Sequence, residues 1–142
     1  MPAALRPPVV IDTNVLFEGL TQQGGAAGLI IDAWLANLLA VHVSDALAYE
    51  YVAVLSGKLS EKRWRKLQPV LGTLLSQAHF VTVYFTWRPI SPDKADEHVI
   101  DCAMNAGAAV VTSNLKHFQR AKQSLGLEIM TPLDLVIKLA TS

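Results

Sequence analysis

Short runs of β-branched residues recur along the chain, each followed by a stretch with helical spacing. The first run is Val9-Val10-Ile11. Three apolar residues in a row, with no alternation, mark a strand buried on both faces. Pro7 and Pro8 keep the approach to it extended. Val41-His42-Val43, the stretch from Phe80 to Phe85, Ala109-Val110-Val111-Thr112 and Glu128-Ile129-Met130 read as the remaining strands. Between them the apolar positions return every three or four residues. A helix capped by Thr13 or Asn14 is predicted to reach Leu20, and Gln22-Gln23-Gly24-Gly25 to form a loop. An amphipathic helix is predicted from Ala26 to Leu39, with Leu29, Ile30, Ala33, Trp34 and Leu38 near one face. Ser44 caps a helix from Asp45 to Leu55, which Gly57 should end. Ser60 opens the next, from Glu61 to Gln77, and Pro69 should kink or split it. Trp87 to Pro92 reads as a loop. Ser91-Pro92-Asp93 then reads as cap, first-turn proline and first-turn acid of a helix to Ala106, stopped by Gly107. Asn114 to Phe118 reads as a short helix or turn, and Thr131-Pro132-Leu133-Asp134 starts a last helix to Ala140. Strands alternating with helices predict one α/β domain over residues 1–142, a parallel sheet of about five strands flanked by helices.

Composition narrows this picture. Of 142 residues, 51% are apolar and 17% charged, a ratio that leaves apolar surface for a homodimer or another partner. The net charge is zero, so any nucleic-acid contact must rest on local patches. The single cysteine, Cys102, excludes an internal disulfide and fits a reducing cytoplasm. It reads as a small buried residue, with no cationic neighbour to activate it. Met1 to Pro8 contains no apolar core of a signal peptide, and no run is long enough to span a membrane.

Chemistry enters through the acids. Asp12 falls at the carboxyl end of the first strand, where parallel α/β sheets place their ligands. Glu50 is the one acid inside an otherwise apolar helix, so that helix is expected to be mostly buried and Glu50 to point inward. Asp96 lies on the apolar stripe of its own helix with Val99, Ile100, Ala103 and Met104. Asp101 falls beside that stripe. Asp93 and Glu97 read as solvated acids of a helix start. Asn114 follows a strand end like the one at Asp12 and should overhang the same edge if those strands are neighbours. Three carboxylates and an amide at one edge would repel without a cation, and hard oxygen ligands suit Mg²⁺ or Mn²⁺. His42, His79, His98 and His117 have no zinc-site spacing and read as structural or surface residues.

These residues resemble the PIN-domain ribonuclease family, and within it the VapC-type toxins of toxin–antitoxin pairs. The resemblance is carried by Val9 to Asn14, by Glu50 in the helix after the second strand, and by Asp96 to Ala108 running into Val110-Val111-Thr112-Ser113-Asn114. Order and spacing match over essentially the whole chain. The resemblance implies a three-layer fold, a metal-dependent endoribonuclease, an RNA substrate and an antitoxin partner. It carries Asp12, Glu50 and Asp96 over as catalytic metal ligands, with Asp101 as an additional acid. Asn14, Thr112, Ser113 and Asn114 would be supporting polar groups. Asn114 departs from the family, which usually has a fourth aspartate there.

RNA also needs cations. Lys62, Arg63 and Arg65 cluster around Trp64, which could stack on a base or pack in the core. Lys116 and Arg120 follow Asn114 closely. The alternative reading is a PIN-like module that binds RNA or protein with little or no turnover, because Asn114 replaces the acid. A phosphotransfer enzyme of another α/β fold fits less well: a haloacid-dehalogenase-like phosphatase needs an acid where Asn14 stands.

Overall fold

The computed structural model describes residues 6–87 and 94–141. Five parallel strands form one sheet: β1 (Pro8–Ile11), β2 (Ala40–Val43), β3 (His79–Phe80), β4 (Ala109–Val111) and β5 (Ile129–Met130), in the order β3-β2-β1-β4-β5. Among the described residues seven helices accompany them: α1 (Thr13–Thr21), α2 (Ala26–Leu35), α3 (Asp45–Lys58), α4 (Glu61–Gln77), α5 (Lys94–Ala106), α6 (Gln119–Leu125) and α7 (Pro132–Thr141). A 3-10 turn spans Leu115–Phe118.

β1 is the central strand because it can be. Val9, Val10 and Ile11 point alternately to opposite faces, and all are fully buried, so helices cover both sides. The chain moves from β1 outward through β2 to β3. It then returns across the sheet to β4 on the other side of β1. The strand order therefore reverses between β1 and β4, and the crevice beyond their carboxyl ends is where such sheets bind ligands. The register sets Ile11 beside Val111, and the Asp12 N–H donates to the Val111 carbonyl at 3.0 Å. Asp12 and Thr112 thus leave the sheet side by side.

The predicted elements are found with instructive differences. α2 stops at Leu35, and Asn37 turns the chain in a left-handed conformation. Leu29 and Leu38 are exposed, while Ala27, Ile30, Ile31, Ala33 and Trp34 face the core. α3 runs through Gly57 to Lys58, because Leu55 and Leu59 continue its buried side. It is not buried all round: Leu47, Tyr51 and Leu55 make one stripe, and Tyr49 and Val52 are exposed. α4 continues across Pro69 as one helix. The strand expected from Phe80 to Phe85 shortens to His79–Phe80. Its partner β2 ends at Val43, whose carbonyl takes the Val81 N–H as the last rung. Beyond it the Asn105 side chain holds the backbone of Tyr84 and Phe85 instead. The expected Ser91-Pro92-Asp93 helix start lies outside the described residues.

Neither Thr13 nor Asn14 caps α1; Asp12 occupies that position. Gly19 permits the close packing of α1 on α2, since a Cβ there would lie 2.6 Å from the Ala27 carbonyl oxygen. α5 packs on β1, β2, β4 and α3. Among the described residues no helix is long and apolar enough to cross a membrane.

Candidate active site

The reversal point collects acids from three separate segments. Asp12 comes from the end of β1, Glu50 from the middle of α3 and Asp96 from the first turn of α5. Asp12 and Asp96 are buried and Glu50 is half-buried. Each carboxylate has one oxygen held by a group from another element. Thr112 Oγ1 donates to Asp12 Oδ2 at 2.8 Å. The Thr13 hydroxyl donates to Glu50 Oε2. His117 Nδ1 lies 2.9 Å from Asp96 Oδ2.

The electrostatics show that the three share a neighbourhood. Burial pushes the Asp12 carboxyl above its ordinary range, and the charge of Asp96 adds to this. The Thr112 hydroxyl and the N–H groups of Thr13 and Asn14 pull the other way. Burial likewise raises Glu50; Thr13 and His98 lower it, and the charges of Asp12 and Asp96 raise it. Tyr51 stands behind the site, fully buried, its hydroxyl donating to the Ile11 carbonyl at 2.5 Å. Burial raises the Tyr51 phenol well above its ordinary value, and so do the nearby carboxylates.

Two expectations change here. Glu97, expected in solvent, is buried beside Asp96 and Asp101 in α5. The sequence could have shown this: Glu97 precedes Ile100 by three residues and so shares its side of the helix. Asp101 is also buried, and its carbonyl accepts from Asn105 Nδ2. His117, read as structural or surface, instead touches an acid of the site. Its spacing from Asp96 along the chain gives no signal, because the contact is made by the fold.

The supporting polar residues divide. Thr112 is fully buried and bridges the edge, accepting the Asn114 N–H at 3.0 Å while donating to Asp12. Asn14, Ser113 and Asn114 are exposed. The Asn114 side chain makes no capping bond to the 3-10 turn that follows it. Lys116 and Arg120 are exposed just beyond. Lys62, Arg63 and Arg65 are exposed on α4, where Arg65 pairs with Glu61. Trp64 is partly buried and packs against the core, the second of its two sequence readings.

The donor set fits a hard divalent cation: carboxylate oxygens, those of Asp12 and Glu50 raised in pKa by burial and neighbouring charge, with no thiolate among them. Among the described residues, no three His, Cys, Asp or Glu side chains are already gathered as an ion-binding cluster. The fit is one of donor chemistry and charge coupling.

A buried acidic edge at the reversal point of a parallel α/β sheet defines the class. The PIN-domain pattern matches residues 8–116, and the chain belongs to that family of nucleases. No curated relative matches it. Solved structures share the fold. VapBC2 from Rickettsia felis, bound to a DNA fragment from the promoter, aligns with a TM-score of 0.64 at 16% identity, covering 87% of this chain and 98% of that one. PAE2754 from Pyrobaculum aerophilum gives 0.61 at 15% identity, covering 96% and 91%. FitAcB from Neisseria gonorrhoeae gives 0.59 at 18% identity, covering 88% and 98%.

Proposed function

We propose that the chain is a Mg²⁺- or Mn²⁺-dependent endoribonuclease and the toxin of a toxin–antitoxin pair, acting in the cytoplasm. The observation that carries this is the set of Asp12, Glu50 and Asp96 near the β1–β4 reversal point, with the charge of Asp96 acting on Asp12 and the charges of both acting on Glu50. When bound, a divalent cation supplies an activated water and stabilises charge developing on the phosphodiester. Asp12 and Asp96 would hold it, with Glu50 completing the set. Asp101 is an added acid of the same helix, whose contribution is tested by Asp101→Asn. Thr112 fixes the Asp12 carboxylate, and Thr13 fixes Glu50. Asn14, Ser113 and Asn114 offer neutral polar groups to the substrate at the exposed rim. Lys116 and Arg120 stand where RNA phosphates would leave that rim; Lys62, Arg63 and Arg65 are a second cationic surface.

The relatives named VapBC2 and FitAcB favour an antitoxin partner, and the apolar groups exposed at Tyr49, Val52, Tyr84 and Phe85 leave surface for it or for a homodimer. The test is cleavage of a broad single-stranded and structured RNA panel by pure protein with Mn²⁺ or Mg²⁺. Cleavage should vanish with chelator and fall by about 10² or more in Asp12→Asn and Asp96→Asn. Protein that binds Mn²⁺ and cuts nothing in the panel refutes the nuclease reading.

One observation favours a second reading. Asn114, exposed at the rim, brings no charge to the position where the family usually has an acid. A binding module would follow, and Asn114→Asp separates the two. Turnover present only in that variant makes the natural chain a binder.

A further inference from the structure

We propose that His117 is a positioning residue for the metal centre, holding the Asp96 carboxylate in the orientation a divalent cation requires. This rests on the reading of Asp12, Glu50 and Asp96 as cation ligands. His117 Nδ1 lies 2.9 Å from Asp96 Oδ2. The Asp96 side chain is about 10% exposed, and the imidazole 38%. The acid sits on the first turn of α5, while the imidazole comes from the 3-10 turn after β4. One segment of six residues, Thr112 to His117, therefore reaches two of the three acids: its first residue holds Asp12 and its last holds Asp96.

The backbone that carries the ring is held in place by the turn itself. The His117 N–H donates to the Asn114 carbonyl at 3.2 Å, and the next residue, Phe118, is fully buried in the core. Moving the His117 backbone away from Asp96 would pull on Phe118. An aspartate rotates about two side-chain bonds, so a donor on one oxygen decides which oxygen and which plane the group presents. Asp12 and Glu50 receive that restraint from threonine hydroxyls; Asp96 has an imidazole in the same part. Carboxylates that ligate metals are themselves hydrogen-bonded, and removing such a partner typically weakens metal binding by about 10–100-fold. Nδ1 must carry a proton to serve an ionised Asp96, since two bare acceptors at this distance repel. The nitrogen engaged with Asp96 cannot at the same time coordinate the ion, so His117 acts through the aspartate.

The experiment uses the full chain in three forms: wild type, His117→Ala and His117→Asn, whose amide nitrogen can stand near the place of Nδ1. Mn²⁺ affinity is read by the loss of the free-ion EPR signal. His117→Ala should bind about 10–100-fold more weakly, and His117→Asn should recover most of that loss. The EPR of bound Mn²⁺ should show no directly coordinated nitrogen. Imidazole ¹⁵N shifts of the metal-free wild type should show a protonated Nδ1, a measurement independent of how either variant folds. Alanine binding as tightly as wild type, asparagine recovering nothing, a Mn–nitrogen coupling lost in His117→Ala, or a bare Nδ1 would each overturn the proposal. If the wild type binds no Mn²⁺, the metal-centre reading fails and this proposal with it; equal binding by wild type and His117→Ala ends this proposal alone.

Discussion

Thr112→Val tests the bridge between β1 and β4 with the smallest available change. It replaces a fully buried hydroxyl by a methyl of similar size and takes away the 2.8 Å bond to Asp12 Oδ2. A hydrogen bond to a charged acceptor contributes about 1.5–3 kcal/mol. The new buried methyl returns about 0.8 kcal/mol. The Asn114 N–H also loses its acceptor, but Asn114 is exposed and water can replace it. The net loss with Asp12 ionised is therefore about 1–2 kcal/mol. With Asp12 protonated the lost bond is an ordinary one, worth about 1 kcal/mol, and the methyl nearly cancels it. The destabilisation must then depend on pH, with a definite sign. The folded-state pKa of Asp12 is raised above its ordinary 3.8, so its protonated form contributes stability at low pH that is lost as pH rises through the folded value. Thr112 lowers that value, so the variant raises it further and loses more over the same climb. Urea unfolding in chelator, at about pH 4 and about pH 8, should show a small difference from wild type at the lower pH and the full loss at the higher. An equal loss at both, or a larger one at low pH, refutes the role assigned to Thr112.

Two further outcomes follow from buried titratable groups. Asp12→Asn removes a carboxylate whose charge the fold disfavours, so in chelator at neutral pH the variant should unfold about 0.5–2 kcal/mol later than wild type while losing RNA cleavage. Equal or lower stability by urea unfolding would contradict the direction of the Asp12 shift. Cys102 is fully buried and burial pushes its thiol up to about 11, so native protein near pH 8 should resist a thiol-specific reagent and denatured protein should react at once. Rapid native labelling would show that α5 opens locally.

The parallel fold was legible because its strands announce themselves. Three consecutive β-branched residues at Val9 to Ile11 admit little other than a doubly covered strand, and the end of that strand fixes Asp12. Asp96 was legible for the same kind of reason, since its helix stripe is apolar and strictly periodic. Phe80 to Phe85 misled because β propensity names a segment that can pair, not one that has a partner; β2 runs out at Val43. Gly57 misled because glycine stops a helix only where nothing beyond it is worth burying, and Leu59 is. Glu97 was set in solvent by its place at a helix start, although its spacing from Ile100 turns it inward. The three hydroxyl and imidazole contacts that hold the acids join residues up to 100 positions apart, and no local pattern encodes such pairs.

The place of β4 in the sheet has a consequence for the life of the chain. β4 lies against β1, yet it is made almost a hundred residues later, from Ala109 to Val111. Asp96, Thr112 and His117 all belong to this late portion. A nascent chain can expose Asp12 and Glu50 early, but it lacks the third acid and the groups that fix two of them. A chain that ends before Ala109 therefore lacks Thr112 and His117, the groups that fix Asp12 and Asp96, and should not cleave RNA if the full chain does.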